Sequence, residues 1–313
     1  MMQTGLRVGL VLGGGGVLGG AWEAGALEAL RQETGWDPRE ADSLVGTSAG
    51  ALMASLLAAG MMPATDLADA AAHRRDTFPW PIPGSLELGI SAMKEHGPRR
   101  LIMTAAGFLP RGPLSTRPIR EMIGRRIPGG WPSGRRLWIT ATDYRSGERV
   151  VFGRSGSPAA DLADAVAASC AIPGVYHPVE IGGRLYVDGG LYSATNLDLL
   201  INAGVDLAIC LNPMSSPDVV LGPKRLADRL QAFAEQAAHR RLIAEADALR
   251  ASGTPVALIE PGPEDLAAMG LNVMNRTRAQ FVFEIATKSV AGQLRSSDIR
   301  GRLGLAPSRV GAL

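Results

Sequence analysis

The sequence predicts an α/β sandwich around a mostly parallel sheet, and three observations lead there. Short apolar runs without polar alternation, such as Leu6 to Leu12 and "VDLAICLNP", suit strands buried on both faces. These runs alternate with segments of helical periodicity. Glycine-rich junctions, "GGGG" at 13–16 and "GTSAG" at 46–50, stand where strand gives way to helix.

The elements follow in order. Leu6 to Leu12 is the first strand. Ala21 to Glu33 reads as a helix with Trp22, Ala26, Leu27 and Leu30 on one stripe. "DSLVG" is a second strand, followed by a turn at Ser48 and an apolar helix ended by Gly60. That helix has almost no polar face and is expected to be buried. Residues 61–115 mix proline, glycine, methionine and large apolar residues, as an insertion or lid would. The regular pattern resumes with a hairpin, "RLWITATDY" and "RVVFGR" around "RSGE". Asp161 to Cys170 reads as a helix capped by Ser157 or Asp161. "VEIGGRLYVDGG" is a second hairpin, Asn196 to Ala203 a short helix, and "VDLAICLNP" a core strand. Lys224 to Arg250 is a long amphipathic helix, "PVALIEPG" a last strand, and helix follows to about Leu294. No repeat or linker divides the chain, so 1–313 is expected to be one domain with a helical C-terminal part over 214–313.

A hydrophobic content of 46% against 20% charged residues supports a large core, and a formal charge of +2 gives no ground for a nucleic-acid partner. Cys170 and Cys210 lie in apolar sequence and read as small buried hydrophobes, with no metal-ligand spacing. The first apolar run is too short for a secretory signal, and no apolar stretch reaches the roughly 18 residues needed to span a bilayer. The expectation is a cytoplasmic protein, with or without peripheral contact at a membrane.

"GTSAG" fits G-x-S-x-G between a strand and a helix, the context of a nucleophile elbow. A sharp turn there exposes the Ser48 hydroxyl, and Gly46 and Gly50 let neighbouring backbone pass close by. The base is open. His73, His96, His177 and His239 each read as loop or surface residues, although an Asp143–His177 pair would complete a Ser-Asp-His order. Asp188 ends an apolar strand before Gly189 and Gly190, where a carboxylate can reach out of the sheet edge; taken singly, a tight Asp-Gly turn after a strand is the better reading. The run Gly14 to Gly19 also fits G-x-G-x-x-G, so a dinucleotide-binding oxidoreductase is a rival. That reading asks for an acidic residue ending the second strand, where this chain has Gly46-Thr47-Ser48; Asp37, Glu40 and Asp42 all precede the strand. The hydrolase reading uses both motifs, with the glycine loop aiming amides at an oxyanion.

A GGGG loop, a GTSAG elbow and a late DGG, in that order, resemble the patatin-like phospholipase family. "SCAIPGVYHPVEIGGRLYVDGGL" and "TATDYRSGE" add to the resemblance, which covers about residues 6–213. It implies a three-layer α/β/α fold and hydrolysis of acyl esters, typically of lipids, by a Ser-Asp dyad without histidine, metal or cofactor. By motif match Ser48 is the nucleophile, Asp188 the general base, and Gly14, Gly15 and Gly16 the oxyanion hole. Gly19, Gly46, Gly50, Gly189 and Gly190 are the remaining motif glycines. Leu18 is a departure, because most members carry Arg or Lys there. Phe78, Trp80, Ile82, Leu86, Ile90 and Met93, beside Arg99 and Arg100, read either as a lipid-facing lid or as a second small core. A catalytically silent lipid-binding protein of the same fold is the third function class.

Overall fold

Five short apolar strands, hydrogen-bonded in parallel, form the centre of the fold. The computed structural model describes residues 5–63, 82–91, 98–215, 226–270 and 272–304. Strands β1 (Val8–Leu12), β2 (Ser43–Thr47), β3 (Arg136–Asp143), β7 (Leu207–Leu211) and β8 (Val256–Ile259) lie in the order β3-β2-β1-β7-β8. Three strands add antiparallel pairings: β4 (Arg149–Phe152) and β6 (Arg184–Asp188) pair with β3, and β5 (Val179–Ile181) pairs with β6. The sheet is therefore mostly parallel, with an antiparallel margin made by the two expected hairpins.

Alternation within the buried strands assigns side chains to two layers. Leu10, Leu12, Leu44, Ile139, Ile209 and Leu211 face one side, packed against helices α1 (Gly16–Thr34) and α2 (Ala49–Ala58). The same layer holds α5 (Arg117–Arg126), α6 (Leu162–Ser169), α8 (Pro263–Met269) and α9 (Ala279–Ser296). Val11, Val45, Trp138, Ala208 and Cys210 face the other side, against α7 (Leu226–Ala251) and the turn Leu197–Leu200. Helices on both faces of a buried parallel sheet make the α/β sandwich the sequence predicts.

Three elements differ from expectation. Helix α1 begins at Gly16, five residues before Ala21, because its glycines pack closely: Gly19 lies against Pro213 and Gly20 against Met53. Packing outweighs the low helix propensity of glycine. Helix α5 was not foreseen in "RPIREMIGRR"; it is short, and only Ile119, Met122 and Ile123 with Pro118 turn inward. The short helix expected over Asn196 to Ala203 is one 3-10 turn.

Within 61–115, α3 (Leu86–Ser91) packs on α4 (Pro98–Phe108). Leu88, Met103 and Ala106 join Tyr144, Val187 and Leu191 in a separate small core. Leu86, Ile90 and Phe108 point outward, more than half exposed. Phe78, Trp80 and Met93, the side chains of Arg99 and Arg100, and His73 and His96 lie outside the described residues.

Candidate active site

Two strands run toward each other along one edge of β3. Strand β4 occupies the opposite edge, from Ile139↔Phe152 to Thr142↔Arg149. The shared edge carries β2 in parallel as far as Thr47 opposite Thr140. It then carries β6, antiparallel, with Asp188 opposite Ala141. The carboxyl ends of β2 and β6 therefore meet head to head. Ser48, one residue beyond β2, brings its side chain within interaction reach of the carboxylate of Asp188, the last residue of β6. Both residues are only 6% exposed.

Ser48 has φ 54° and ψ −119°, a conformation that costs an L-residue on the order of 1–3 kcal/mol. Surrounding bonds impose it. The Ser48 amide donates to Ser169 Oγ at 2.8 Å, and its carbonyl accepts the Cys170 thiol at 3.2 Å and the Ala51 amide at 2.9 Å. Cys170 is buried as expected, and its thiol adds a hydrogen bond to the elbow. Ser48 also stands at the N-terminus of α2, whose dipole favours negative charge on the hydroxyl oxygen.

The elbow helix lies tight against the glycine loop. The Gly50 amide donates to the Gly13 carbonyl at 3.1 Å, and a Cβ on Gly50 would lie 2.1 Å from the Leu12 carbonyl oxygen. Gly46 abuts Gly50 and Ala51 from the strand side. Gly50→Ala is expected to destabilise the protein by about 3 kcal/mol in urea unfolding, because the clash is with backbone. An alanine variant as stable as the parent would contradict this packing.

Asp188 is held as firmly. Its Oδ1 accepts the Gly190 amide at 2.8 Å, its own amide donates to Ala171 at 3.0 Å, and its carbonyl accepts Thr142 Oγ1 at 3.2 Å. Gly189 lies against the Thr140 carbonyl. Burial raises the Asp188 carboxyl pKa to about 6; the hydrogen bonds from Ser48 and Gly190 pull it down less strongly.

The glycine loop touches Ser48: a Cβ on Gly14 would sit 3.3 Å from the Ser48 Cβ. The Gly14 amide, expected in the oxyanion hole, instead donates to the Ala194 carbonyl at 2.8 Å. Gly15 caps α1 and Gly16 is its first residue. Among the described residues the amides of Gly15, Gly16 and Ala49 have no hydrogen-bond partner. Gly19 donates to the Gly15 carbonyl, closing the first turn. Leu18 is fully buried beside Trp22 and donates its amide to Val273, so this chain anchors the loop through an apolar side chain. Glu23 of α1 is also fully buried, and burial pushes its pKa well up, against a smaller opposing pull from the Gly13 backbone.

A polar network without local sequence signal supports the site. Asn196, in the left-handed region at φ 55°, donates Nδ2 to Thr47 Oγ1, Thr140 Oγ1 and the Ser193 carbonyl. Buried Glu245 of α7 accepts from Thr195 Oγ1, the Leu197 amide and Arg241. The segment carrying Ala194 is thereby fixed, and with it the Gly14 end of the loop.

The histidine alternative fails on geometry. Asp143 Oδ1 accepts the amides of Arg145 and Ser146, and Oδ2 pairs with Arg184, so this carboxylate organises the β3–β4 turn. His177 is half-buried beside Arg111 and Gly112. His239 does not face solvent on its helix as expected; Nδ1 lies 3.1 Å from Glu260 Oε1, with the side chain 27% exposed.

The family model described as Patatin-like phospholipase matches residues 10–201, more than half of the chain. An uncharacterized NTE family protein of Mycobacterium tuberculosis is 30% identical over 231 residues, covering 71% of this chain and 52% of the relative. A second from the same species is 32% identical over 189 residues, covering 60% of this chain and 27% of the relative. The chain thus spans about half the length of the first of these relatives, and less of the second. Among solved structures, VipD from Legionella pneumophila has a TM-score of 0.41 at 15% identity, over 92% of this chain and 67% of that one. The type III effector protein ExoU has 0.37 at 20% identity, over 93% and 53%.

Proposed function

The chain belongs to the patatin-like phospholipase family, and from that premise we propose that it is a serine hydrolase cleaving carboxylic esters of lipids through a Ser48–Asp188 dyad. The observation that carries this reading is the meeting of a strained serine and a buried carboxylate where β2 and β6 end on one edge of β3. A carboxylate with a pKa of about 6 is a stronger base than an ordinary aspartate and is still mostly ionised at neutral pH.

In this mechanism Asp188 accepts the Ser48 proton as Oγ bonds to the ester carbonyl carbon. The carbonyl oxygen becomes an oxyanion, received by the Gly15 and Gly16 amides. The tetrahedral adduct collapses, the C–O bond to the leaving group breaks, and the alcohol or lysolipid departs with the proton from Asp188. Water then gives a proton to Asp188 and attacks the acyl-enzyme, the fatty acid leaves, and that proton returns to Ser48. Each oxyanion donor in such a site contributes on the order of 3 kcal/mol. The exposed Leu86, Ile90 and Phe108 support a lipid-facing lid over part of 61–115. Among the described residues no helix is long and apolar enough to cross a membrane.

Hydrolysis of a short-chain p-nitrophenyl ester, with a burst of nitrophenol from acyl-enzyme formation, tests the proposal. An inert wild-type protein that still binds lipid vesicles would instead be the silent lipid-binding protein. The pH profile is a second test. The base must be deprotonated, so kcat/KM should climb about tenfold per pH unit below 6 and level off above 7. A profile flat from pH 4.5 to 8 would remove Asp188 as the titrating base.

A further inference from the structure

The end of the sheet opposite Ser48 carries a pocket of unbalanced charge. It lies between the start of β3 and the turn after β4, has a volume of about 370 Å³, and is lined by Trp131, Arg135, Arg136, Arg154, Ser155 and Ser157 among others. Arg136 is four residues from Thr140 along β3, about 13 Å at roughly 3.3 Å per residue, so the pocket is well separated from the dyad.

Its walls are fixed by close packing. Gly153 has φ +84°, and a Cβ there would meet the Leu137 carbonyl at 2.3 Å and the Trp131 ring at 2.7 Å. The Trp131 indole N–H donates to the Ala160 carbonyl at 2.8 Å. Trp138 gathers two cations: the guanidinium carbons of Arg136 and Arg154 lie 5.5 and 5.6 Å from its ring centroid.

No counter-charge accompanies them. Arg136 donates to Ser43 Oγ and the Ala203 carbonyl, and Arg135 to the Ala41 carbonyl at 3.4 Å, all neutral acceptors. At the same end of the sheet, Asp42 accepts the Val8 amide and Asp206 pairs with Arg7. Among the described residues no carboxylate forms an ion pair with Arg135, Arg136 or Arg154, and the side-chain polar groups of Arg154, Ser155 and Ser157 have no hydrogen-bond partner. The three arginines are solvent-exposed at the rim of an open pocket, so water screens their mutual repulsion, but no carboxylate neutralises them and an incoming anion meets donors on more than one side.

We propose that this pocket binds a phosphate monoester. Guanidinium forks match phosphate oxygens in pairs, and the serine hydroxyls add neutral donors. The volume exceeds what a bare carboxylate needs and suits a phosphorylated small molecule or the head group of an anionic lipid.

The test uses the full chain. Calorimetric titration with glycerol 3-phosphate reads soluble binding, and flotation with phosphatidylcholine vesicles containing phosphatidic acid reads head-group binding. At least one probe should bind, more weakly as salt rises, and Arg135→Ala/Arg154→Ala should reduce that binding at least tenfold. Arg154→Glu, a surface change checked by its melting curve, should do the same. Hydrolysis of a soluble ester should be unchanged in both variants, so failure here is distinguishable from failure of the dyad. Binding of glycerol 3-phosphate alone assigns a free phosphomonoester; binding of vesicles alone assigns the lipid head group. If neither probe binds the wild type, or the variants bind as well as it does, the assignment is overturned.

Discussion

Replacing Ser48 with alanine is expected to lower kcat/KM for a p-nitrophenyl ester by about 10⁴-fold or more and to abolish labelling by a fluorophosphonate probe. Only one oxygen is removed. The bonds that hold the elbow use the backbone of residue 48: its amide to Ser169 Oγ and its carbonyl to Cys170 Sγ. The variant should therefore fold and keep the turn, and a circular-dichroism melt close to that of the parent checks this. With the elbow intact, lost activity reports lost chemistry. Labelling that survives the substitution would place the reactive nucleophile elsewhere and end the dyad mechanism.

Asp188→Asn is expected to cost about 10³- to 10⁴-fold in turnover while making the folded protein more stable at neutral pH. The sign follows from burial. The carboxyl pKa is raised from 3.8 to about 6 in the folded protein. The neutral acid is therefore favoured in the folded state relative to the unfolded one. Its stabilisation is fully present below pH 4 and is lost as pH rises through 6. The corresponding penalty above pH 6 is about 3 kcal/mol as an upper figure, at about 1.4 kcal/mol per tenfold. Asparagine keeps an oxygen for the Gly190 amide and carries no charge. The variant should melt above the wild type at pH 7–8, and the difference should vanish near pH 4. A carboxylate that merely braced the fold would show the opposite: lost stability at neutral pH with activity in proportion to the folded fraction.

Much of this was readable in one dimension. The strand at Val8–Leu12 and the helix stripe of Trp22, Ala26, Leu27 and Leu30 follow from apolar periodicity, a local property. The turn at Ser48 is likewise local, since small residues at Gly46 and Gly50 mark close backbone passage. Helix α1 shows where local reasoning stops. Glycine propensity places its start at Ala21, but contacts with Pro213 and Met53, made by distant parts of the chain, move it to Gly16.

The sequence by itself determined the α/β class, the strand and helix order and the elbow at Ser48, because each has a short-range signature; Asp188 became the candidate carboxylate only through the ordered combination of the GGGG, GTSAG and DGG motifs. Tertiary structure alone decided that β2 and β6 share an edge of β3, so that those two residues meet. It also decided that Gly14 spends its amide on Ala194, and that Ser169, Cys170 and Asn196 hold the elbow and its strand from 121, 122 and 149 residues away in sequence. Hydrogen bonds of that span leave no periodicity to read. The basicity of Asp188 comes from the water that folding removes from around it, which no neighbouring residue encodes.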